Sequence, residues 1–519
     1  MEEKITKRMK EKGKSKLFRM VFGRTFFLAF AVSIQIAILL IFIYWLSEYF
    51  VYFYSVSTIL SIILAIHITG RDINPSYIIA WLFMVLLVPV LGGSFYVLIK
   101  IHPSTYKIKK KLNIILADSR KYIPTNKKLM EDLKSDDELY GLANYIDNYG
   151  GYPAYKNTSV KYFSSGENKF ESMLEELENA KEFIFLEYYI VDEGIMWDAI
   201  LEILCRKVKE GVEVRFMYDG MCTLNLLPQN YPRFIREFGI KCKVFSPIRP
   251  AISSHQNNRD HRKILVIDGK TAYTGGINLA DEYINAVKKF GHWKDTAVML
   301  KGEAVRNFTV MFLQNWNISE ETVEDFSPYL REYKVSSTGY VIPYGDSPFD
   351  HENVGELVYM DILNNARDYV HIMTPYLILD NEMILCMEYA AKRGVDVRLI
   401  LPHVTDNPSA YTLARNLYPR LIQRGIKIYE YTPGFVHAKV FVSDNKKAVV
   451  GTINMDYRSM YLNMECACYF QDMNEVSEVE KDFACTLAMC EEITLDNCKK
   501  YSVVKQKIGK ILWLFSPLM

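Results

Sequence analysis

The chain has 519 residues, enough for more than one domain, and half of them are hydrophobic. Its 62 basic side chains nearly balance its 61 acidic ones, so the net charge of +1 gives no electrostatic reason to expect a nucleic-acid partner. The nine cysteines show no C-x2-C spacing, which excludes a zinc pattern and a disulfide framework readable from sequence. An odd, unpatterned set of cysteines is typical of a reducing compartment.

The first 112 residues are basic at the start and then strongly apolar. Residues 1–24 carry nine Lys or Arg against three Glu. Three apolar runs follow at about 26–46, 49–69 and 77–99, each near the ~20 residues that span a bilayer. No small-residue cleavage site follows the first run, so we do not expect a removable signal peptide. We therefore predict a multi-pass cell-membrane protein with two or three transmembrane segments in residues 1–112.

The basic flanks leave the membrane topology open. The N-terminus and the basic segment at 100–111 both favour the cytoplasmic side. Three full spans cannot place both there, so either one run is re-entrant or interfacial, or the positive-inside rule is broken once. We expect the remainder of the chain on the cytoplasmic side, because of the basic segment after the third run and the unpaired cysteines.

A polar stretch at 113–156 is interpreted as a linker, and after it the chain repeats itself. The segment KVKEGVEVRFMYD corresponds to YAAKRGVDVRLILP, and REFGIKCKVFS corresponds to IQRGIKIYEYT. Each block has the pattern of an amphipathic helix followed by an apolar strand. This alternation predicts an α/β fold with two catalytic halves at 157–330 and 331–500, each a mixed sheet sandwiched by helices, related by a pseudo-two-fold axis.

Residues 501–519 form a separate amphipathic segment. Val504, Ile508 and Ile511 fall at helical spacing on one stripe, and three lysines lie away from it. Two interpretations stay open for this segment. It is either a terminal helix docked on the sheet core or an interfacial helix that lies against anionic lipid.

One constellation of residues occurs twice, in DHRKILVIDGKTAYTGGIN and in VHAKVFVSDNKKAVVGTIN. In each copy a lysine follows the histidine by two residues, an aspartate by seven and an asparagine by seventeen. Residues two apart on a strand share a face, so the imidazole and the ammonium group point into one space. The residues are His261, Lys263, Asp268 and Asn278 in the first copy, and His437, Lys439, Asp444 and Asn454 in the second.

These side-chain types suit a phosphate ester. One neutral imidazole can attack phosphorus while a protonated one donates to the leaving alcohol, and cationic and amide groups can hold the non-bridging oxygens. We expect the phosphate to be bound by Lys263, Lys439, Asn278, Asn454 and the hydroxyl of Thr452. Gly276 replaces that hydroxyl residue in the first copy. No metal and no other cofactor is expected, because the cationic and amide groups already meet the charge of the phosphate.

The doubled H-x-K-x4-D motif, each copy followed by G-[GST]-x-N, resembles the phospholipase D superfamily. The flanking segments NNRDHRK, TPYLI and DYRSMYLNME are more narrowly similar to bacterial cardiolipin synthases. The resemblance covers nearly the whole chain. It implies that the two motifs face each other across one phosphodiester and that His261 is the nucleophile.

The resemblance also implies an orienting carboxylate for the imidazole. Glu465 lies 28 residues after His437, which is the superfamily spacing, and Asp295 is assigned to the first half because Asp-Thr-Ala aligns with Glu-Cys-Ala. We therefore expect each acid to serve the histidine of its own half. Asp268 and Asp444 belong to the catalytic motif, but they follow strands, so we expect them to fasten backbone turns.

Two further carboxylates, Glu187 and Asp219, end apolar strands near the expected site. Each would act in one half only, since Thr374 and Pro402 occupy the corresponding positions. The alternative is that both are solvated strand-end carboxylates. The first half also carries about ten extra residues before His261, interpreted either as a rim loop of the site or as a plain surface excursion.

The resemblance implies a membrane phosphatidyltransferase that makes cardiolipin and glycerol from two phosphatidylglycerol molecules through a phosphohistidine intermediate. The alternatives are a hydrolase of the phospholipase D type and, ranked below it, a nuclease-like phosphodiesterase. Phosphatidylglycerol and anionic membrane lipids are the expected partners. The apolar runs and the balanced charge argue against nucleic acid, and two intact motifs argue against a non-enzymatic scaffold. The sequence makes no prediction of oligomeric state.

Overall fold

The computed structural model describes residues 50–87, 103–248, 257–350 and 352–518, with a few isolated positions before residue 50 and between 88 and 102. The basic N-terminus, nearly all of the first apolar run and much of the end of the third lie outside the described residues. The same is true of most of the extra loop before His261, which includes Arg249 and His255.

Two apolar helices form a hairpin at the start of the described chain, α1 (Phe50–Thr69) and α2 (Pro75–Leu87). Pro75 opens α2 at a position where a helix does not need the missing backbone N–H. No helix in the described part of the chain is long and apolar enough to cross a membrane, so the predicted transmembrane spans are not confirmed.

The predicted polar linker is largely helical. It contains α4 (Lys127–Leu133) and α5 (Asp137–Tyr145), and it begins inside α3 (Pro103–Ser119). Asn126 and Asp136 cap α4 and α5 by accepting a backbone N–H bond. The apolar faces of these two helices pack into the main core, so the linker interpretation missed their role in the fold.

The first half is a mixed sheet with helices packed on it. Its strands are β1 (Thr158–Phe163), β2 (Phe183–Tyr188), β3 (Glu213–Asp219), β4 (Lys241–Phe245), β5 (Lys263–Ile267), β6 (Thr271–Gly275), β7 (His292–Lys294) and β8 (Ala297–Gly302). Its helices are α6 (Gly166–Glu178), α7 (Ile195–Lys209), α8 (Cys222–Asn225), α9 (Tyr231–Arg236) and α10 (Val305–Asn317). The strand order is β1-β8-β6-β5-β2-β3-β4, with β2, β3 and β4 parallel.

The second half repeats this plan. Its strands are β9 (Tyr340–Asp346), β10 (Tyr369–Met373), β11 (Leu377–Ile378), β12 (Asp396–Pro402), β13 (Lys427–Tyr431), β14 (Gly434–Val436), β15 (Val440–Ser443), β16 (Lys447–Gly451), β17 (Met455–Asp456), β18 (Glu465–Gln471) and β19 (Cys490–Ile493). Its helices are α11 (Val354–Asn365), α12 (Asn381–Lys392), α13 (Pro408–Gln423), α14 (Tyr457–Tyr461), α15 (Asn474–Leu487), α16 (Leu495–Lys499) and α17 (Val503–Phe515). The strand order is β19-β13-β12-β10-β15-β16-β18-β9, with β10, β12 and β13 parallel.

Apart from the edge strand β19, the two strand orders correspond one to one, from β1 and β9 at one edge to β4 and β13 at the other. The central strands are buried on both faces, which explains why β2 and β5 are continuous apolar runs rather than alternating ones. One core cluster contains strand residues of both halves, among them Ile264 and Val440, so the halves pack against each other. The predicted α/β fold with two repeats and mixed sheets is confirmed.

Candidate active site

The two histidines lie where the halves meet. The backbone N–H of His261 donates to the carbonyl oxygen of Met464 at 2.9 Å, and that of His437 donates to Lys294 at 2.7 Å. Met464 directly precedes β18, and Lys294 is the last residue of β7, which pairs in parallel with β14. Each histidine is therefore held by a backbone bond to the other half.

The orienting carboxylates follow from these backbone bonds. His261 Nδ1 lies 2.9 Å from both carboxylate oxygens of Glu465, and His437 Nδ1 lies 2.7 Å from Asp295 Oδ2. Both carboxylates are fully buried and both histidines are 7% exposed. The prediction that each acid serves the histidine of its own half is wrong. Because the residue before each acid bonds to the histidine of the other half, the acid arrives beside that histidine.

The sheet register confirms that Asp295 and Glu465 are equivalent positions. Gly275 pairs with Ala297 in the first half, and Gly451 pairs with Ala467 in the second. In each half the acid lies two residues before that paired alanine. The alignment of Asp-Thr-Ala with Glu-Cys-Ala was therefore correct, although the pairing drawn from it was not.

The two motif lysines are buried beside the imidazoles. Lys263 Nζ donates to the carbonyl oxygen of His261 at 2.6 Å, and Lys439 makes the same bond to His437. Burial lowers the pKa of Lys263 to about 8 and that of Lys439 to about 7, while nearby carboxylates oppose the shift. A bound phosphodiester anion would favour the charged amines, so substrate and ammonium charge stabilise each other.

Both imidazoles are neutral in the free site. Burial lowers the pKa of His261 to about 4 and that of His437 to about 3, and the two lysines add to both shifts. Burial alone would raise the pKa of Glu465, but His261 and the surrounding donors hold it below its ordinary value. An ionised acid at Nδ1 requires the proton on that nitrogen, which leaves Nε2 with its lone pair available for attack or proton transfer.

Aromatic rings surround the histidines. The ring of Tyr189 lies 4.9 Å from the imidazole of His261, and the rings of Trp293 and Tyr283 lie 5.4 and 5.5 Å from that of His437. These rings limit the access of water to the imidazoles. Sequence reasoning missed them, although Tyr189 lies two residues after Glu187 and Trp293 two before Asp295.

Thr452 does not have the predicted role. Its hydroxyl donates to Glu465 Oε2, and it accepts from the backbone N–H of Cys466 at 3.0 Å. The phosphate-binding prediction for Thr452 is therefore corrected. Because β16 and β18 are neighbouring strands, the hydroxyl of Thr452 points to the carboxylate of Glu465. Thr452 positions Glu465, which in turn orients His261.

The two asparagines are not equivalent. Asn278 accepts from the N–H of Ile190 at 3.0 Å and donates to the hydroxyl of Tyr283 at 2.7 Å, so its amide is occupied in fastening a loop. This corrects the prediction that Asn278 holds the phosphate. Asn454 is also buried, yet its Oδ1 has no hydrogen-bond partner among the residues that the structure describes. An acceptor oxygen does not bind a phosphate anion, so a phosphate contact by Asn454 would come from its Nδ2 donor, and that role stays a prediction.

Gly276 leaves room for Asp295. A Cβ at Gly276 would lie 2.0 Å from Asp295 Oδ1, which itself accepts from the N–H of Thr296 at 2.8 Å. Aspartate is one methylene shorter than glutamate, so its carboxylate stays closer to the strands than that of Glu465. Glycine therefore replaces the hydroxyl residue at position 276 because the carboxylate of Asp295 occupies the space that a side chain would need.

Asp268 and Asp444 fasten turns at the far ends of the motif strands. Each carboxylate accepts three backbone N–H bonds, Asp268 from 181–183 and Asp444 from 367–369, at 2.8 to 3.0 Å. Both residues have positive φ angles, 52° and 55°. Lys263 is the first residue of β5 and Asp268 directly follows its last, so Asp268 lies at the end of the strand away from the imidazole. Although Asp268 and Asp444 belong to the catalytic motif, their contacts agree with the structural role expected for them.

Glu187 and Asp219 are fully buried, so they are not solvated strand-end carboxylates. Glu187 lies 2.6 Å from the guanidinium of Arg262, and Asp219 accepts from the N–H of Asp260 at 3.0 Å. Burial raises the pKa of Glu187 well above its ordinary value and that of Asp219 to about 7. Both acids fix the segment that carries His261, and neither contacts an imidazole in the bonds that the structure records.

The arrangement can perform displacement at phosphorus. Two Nε2 atoms with lone pairs and two buried amines lie at a water-poor boundary. Within the described ranges, no group of three or more His, Cys, Asp or Glu residues is placed to hold a metal ion.

The family described as cardiolipin synthase, phospholipase D-like domain, matches residues 173–316 and 359–486 of this chain, which together exceed half of its length. The chain belongs to this family. A second family, described as phospholipase D-nuclease N-terminal, matches residues 59–100. Both H-x-K motifs of this cardiolipin synthase family member fall inside the two matched ranges.

Individual relatives are similar to this chain over most of its length. The cardiolipin synthase of Alkalihalophilus pseudofirmus is 32% identical, and the match covers 89% of this chain and 93% of that protein. An uncharacterized protein of Streptococcus mutans serotype c is 49% identical over 88% of this chain and 99% of its own. The crystal structure of phosphatidylserine synthase from Haemophilus influenzae Rd KW20 matches with a TM-score of 0.56 at 14% identity, covering 72% of this chain and 99% of that one. That likeness shows a shared fold.

Proposed function

We propose that this chain is a membrane phosphatidyltransferase that makes cardiolipin and glycerol from two phosphatidylglycerol molecules. The observation that carries the proposal is the crossed pair of imidazoles, each bonded through Nδ1 to a buried carboxylate of the other half. Family membership supplies the substrate class. The geometry supports a covalent mechanism with two histidines in complementary roles.

In the first step His261 Nε2 attacks the phosphorus of one phosphatidylglycerol. The bond between phosphorus and the glycerol headgroup oxygen breaks, and protonated His437 gives its proton to that oxygen, so glycerol leaves. His437 gains this proton when the anionic phosphodiester binds, because a negative charge beside a buried imidazole favours its charged form. Asp295 stabilises the resulting imidazolium through Nδ1.

In the second step the glycerol hydroxyl of another phosphatidylglycerol attacks the phosphatidyl group on His261. Neutral His437 takes the hydroxyl proton, the bond between phosphorus and His261 breaks, and cardiolipin leaves. Lys263, Lys439 and the Nδ2 donor of Asn454 hold the non-bridging oxygens as negative charge builds in both transition states. His437 ends the second step protonated and releases that proton as the anionic product leaves, so both histidines return to the neutral forms of the free site.

Water is the competing acceptor, and its use would make the enzyme a hydrolase that releases phosphatidic acid. The burial of the histidines and the rings of Tyr189, Tyr283 and Trp293 support the transferase, since they restrict water at the reacting phosphorus. The balanced net charge disfavours a nuclease, which needs a basic surface to meet a phosphate backbone.

We place both catalytic halves on the cytoplasmic side of the cell membrane. The basic segment at 100–111 and the nine cysteines, all within the described residues and none in a disulfide, support this side. Cys222 and Cys242 are buried and cannot report topology, but Cys485 is exposed. A membrane-impermeant maleimide should leave Cys485 unmodified in intact cells and modify it after lysis. Labelling in intact cells would place the halves outside.

The test of function is a product assay in water enriched in oxygen-18. Purified full-length protein is given phosphatidylglycerol, and the lipids and released alcohol are resolved by mass. We expect cardiolipin and glycerol in equal amounts, with no heavy oxygen in the phosphates. The His261→Ala and His437→Ala variants serve as controls and should be inactive. Phosphatidic acid that carries heavy oxygen as the main product would show that the enzyme is a hydrolase.

A further inference from the structure

The C-terminal helix α17 is docked on the second half by one side only. Gly509 faces α13, and a Cβ there would lie 1.7 Å from Asn416 Nδ2, so the helices touch where the side chain is missing. Leu512 and Trp513 pack against a small cluster that contains Leu413 of α13. The sequence interpretation of a terminal helix docked on the core is thus correct for this side.

The opposite side of α17 is apolar and exposed. Exposures of 47 to 65% are found for Val503, Val504, Ile508 and Ile511. At 3.6 residues per turn these four side chains fall on one arc, turned away from Gly509 and Trp513. Core packing does not explain why four large apolar side chains occupy this face.

Lysines of α17 lie at both edges of the exposed arc. Lys505 lies beyond Ile508 on one side and Lys510 beyond Val503 on the other, while Lys507 falls within the arc, between Val503 and Ile511. All three are exposed, and the helix sequence VVKQKIGKILWLF contains no acidic residue. An exposed apolar stripe accompanied by lysines is the pattern of a helix that lies in the plane of an anionic membrane surface.

The same surface continues onto the N-terminal hairpin. Phe515 of α17 packs edge-to-face on Phe83 of α2, with ring centroids 5.7 Å apart, and Leu518 joins a cluster with Trp81. The hairpin helices expose further apolar side chains, each 49 to 68% accessible: Val56, Ile59, Leu60, Ile62, Ile63, Ile66, Ile79, Leu86 and Leu87. Residues near both ends of the chain therefore build one apolar surface.

This surface reaches the neighbourhood of the active site. The cluster under Trp513 also contains Tyr77 of α2, Tyr376 and Tyr457 of α14. Leu377, which follows Tyr376, pairs with Met455, and Met455 follows Asn454. A membrane bound at α17 would therefore lie next to the part of the second half that holds the proposed phosphate ligand.

We propose that α17 binds in the interface of an anionic lipid bilayer, with its exposed apolar arc among the lipids and its three lysines at the headgroups. The partner is a lipid surface rather than a second copy of the chain, because the exposed arc is flanked by cations on both sides and is continuous with the apolar hairpin. The proposal goes beyond the reaction itself and does not depend on which acceptor the enzyme uses.

The test places a reporter on α17 in the full-length protein. Cys485→Ser removes the exposed native thiol, and Ile511→Cys then receives an environment-sensitive fluorophore. The protein is reconstituted in vesicles of phosphatidylglycerol or of phosphatidylcholine. With phosphatidylglycerol we expect blue-shifted emission, quenching by nitroxide lipids and several-fold protection from aqueous iodide. A reporter at Val323→Cys, in a loop of the first half, is the matched control and should stay open to iodide.

Two variants separate the contributions of charge and apolar contact. Replacing Lys505, Lys507 and Lys510 with Gln should reduce the difference in iodide protection of the Ile511→Cys reporter between phosphatidylglycerol and phosphatidylcholine vesicles. Replacing Val504, Ile508 and Ile511 with Ser should lower activity on vesicle substrate several-fold while activity on micellar short-chain phosphatidylglycerol is unchanged. Equal loss on both substrates, or an Ile511 reporter open to iodide in anionic vesicles, would overturn the proposal. Protection that appears without lipid and grows with protein concentration would assign the face to a second copy instead.

Discussion

Glu465 orients His261 across the boundary between the two halves, with both carboxylate oxygens 2.9 Å from Nδ1. Asp295 does the same for His437 from the other side, at 2.7 Å. Neither half therefore contains a complete catalytic pair of motif histidine and orienting carboxylate. The repeat supplies two copies of the motif, but only their packing produces two oriented imidazoles.

The crossed pairing predicts that Glu465→Gln removes the contribution of His261. We expect kcat to fall by about 10²–10⁴, because an amide at this position no longer stabilises the Nδ1–H tautomer or the imidazolium. The double variant with His261→Ala should be no worse than His261→Ala alone, since the two residues act as a unit. Steady-state kinetics on phosphatidylglycerol measures both effects.

Glu430 offers a matched control for that substitution. It is a fully buried glutamate that also lies 3.0 Å from a histidine Nδ1, that of His403, and it pairs with Arg415. Glu430→Gln should lower stability and leave kcat per folded molecule near that of the wild type. Equal losses of kcat in Glu430→Gln and Glu465→Gln would contradict a specific role for the crossed pair.

A second prediction concerns the glycine that replaces a hydroxyl residue. Gly276→Thr should lower kcat by about 10–100-fold, because the new Cβ displaces Asp295 from His437. Adding Asp295→Glu reproduces the combination of Thr452 and Glu465 and should restore part of the activity. If Gly276→Thr alone raised kcat, a hydroxyl group at position 276 would assist the reaction. The explanation that Gly276 makes room for the carboxylate of Asp295 would then be contradicted.

The motif aspartates should act on stability and not on chemistry. Asp444→Ala removes three backbone N–H bonds to a carboxylate, so we expect the free energy of unfolding to fall by about 2–4 kcal/mol. Asp444→Asn keeps an acceptor and tolerates the positive φ, so its loss should be smaller. Urea unfolding, with kcat measured on the folded fraction, tests this. A large drop in kcat at unchanged stability would return Asp444 to the catalytic set.

The buried lysines predict a loss of activity at alkaline pH. Their pKa values, about 8 for Lys263 and about 7 for Lys439, mean that the charges are present below this range and lost above it. We therefore expect kcat/KM on micellar substrate to fall between pH 7 and 9, approaching about tenfold per unit for each ammonium group lost. The pKa of His261, about 4, places the loss of the neutral nucleophile far below neutrality. The proton that His437, with a pKa of about 3, takes up on substrate binding adds a further decrease of kcat/KM as pH rises.

Stability should move the opposite way over the same alkaline range. For a lysine whose pKa is depressed in the folded state, the contribution to the free energy of unfolding is greatest above the unfolded pKa of 10.5. This contribution declines as pH falls toward 7 to 8, because the unfolded chain then binds a proton more readily than the folded protein does. The lysine contribution to the free energy of unfolding therefore rises while kcat/KM falls. Thermal unfolding at each pH serves as the control, and a parallel fall in both quantities would attribute the activity loss to unfolding.

Much of the site could be predicted from spacing. The spacing of two positions from His261 to Lys263 predicts a shared face, and the context Asp-Thr-Ala identifies Asp295 as the counterpart of Glu465. The partner of each acid could not be predicted, because it depends on how two sheets pack and not on positions within one. The same reason hid the bond between Thr452 and Glu465, since neighbouring strands are a matter of sheet order.

The two mixed sheets covered by helices could be inferred from the alternation of helices and strands, but the helices before them could not. Polar residues such as those of 127–145 suggested a linker, yet a few leucines at helical spacing, including Leu129 and Leu142, bury against the core. Composition over such a short segment conceals an amphipathic pattern. The sequence likewise did not predict that one side of α17 is docked while the other is exposed. The small size of Gly509 matters only because α13 packs against it.

The most direct test of the account is to locate the covalent intermediate. The enzyme is mixed with phosphatidylglycerol, quenched in alkali within the first turnover, digested and mapped by mass spectrometry. The account predicts a phosphatidyl group on His261 in the wild-type protein, with none on His437, and none on any residue in His261→Ala. A phosphatidyl group on His437 would reverse the roles of the two histidines. Cardiolipin formed without modification of either histidine would contradict the two-histidine mechanism itself.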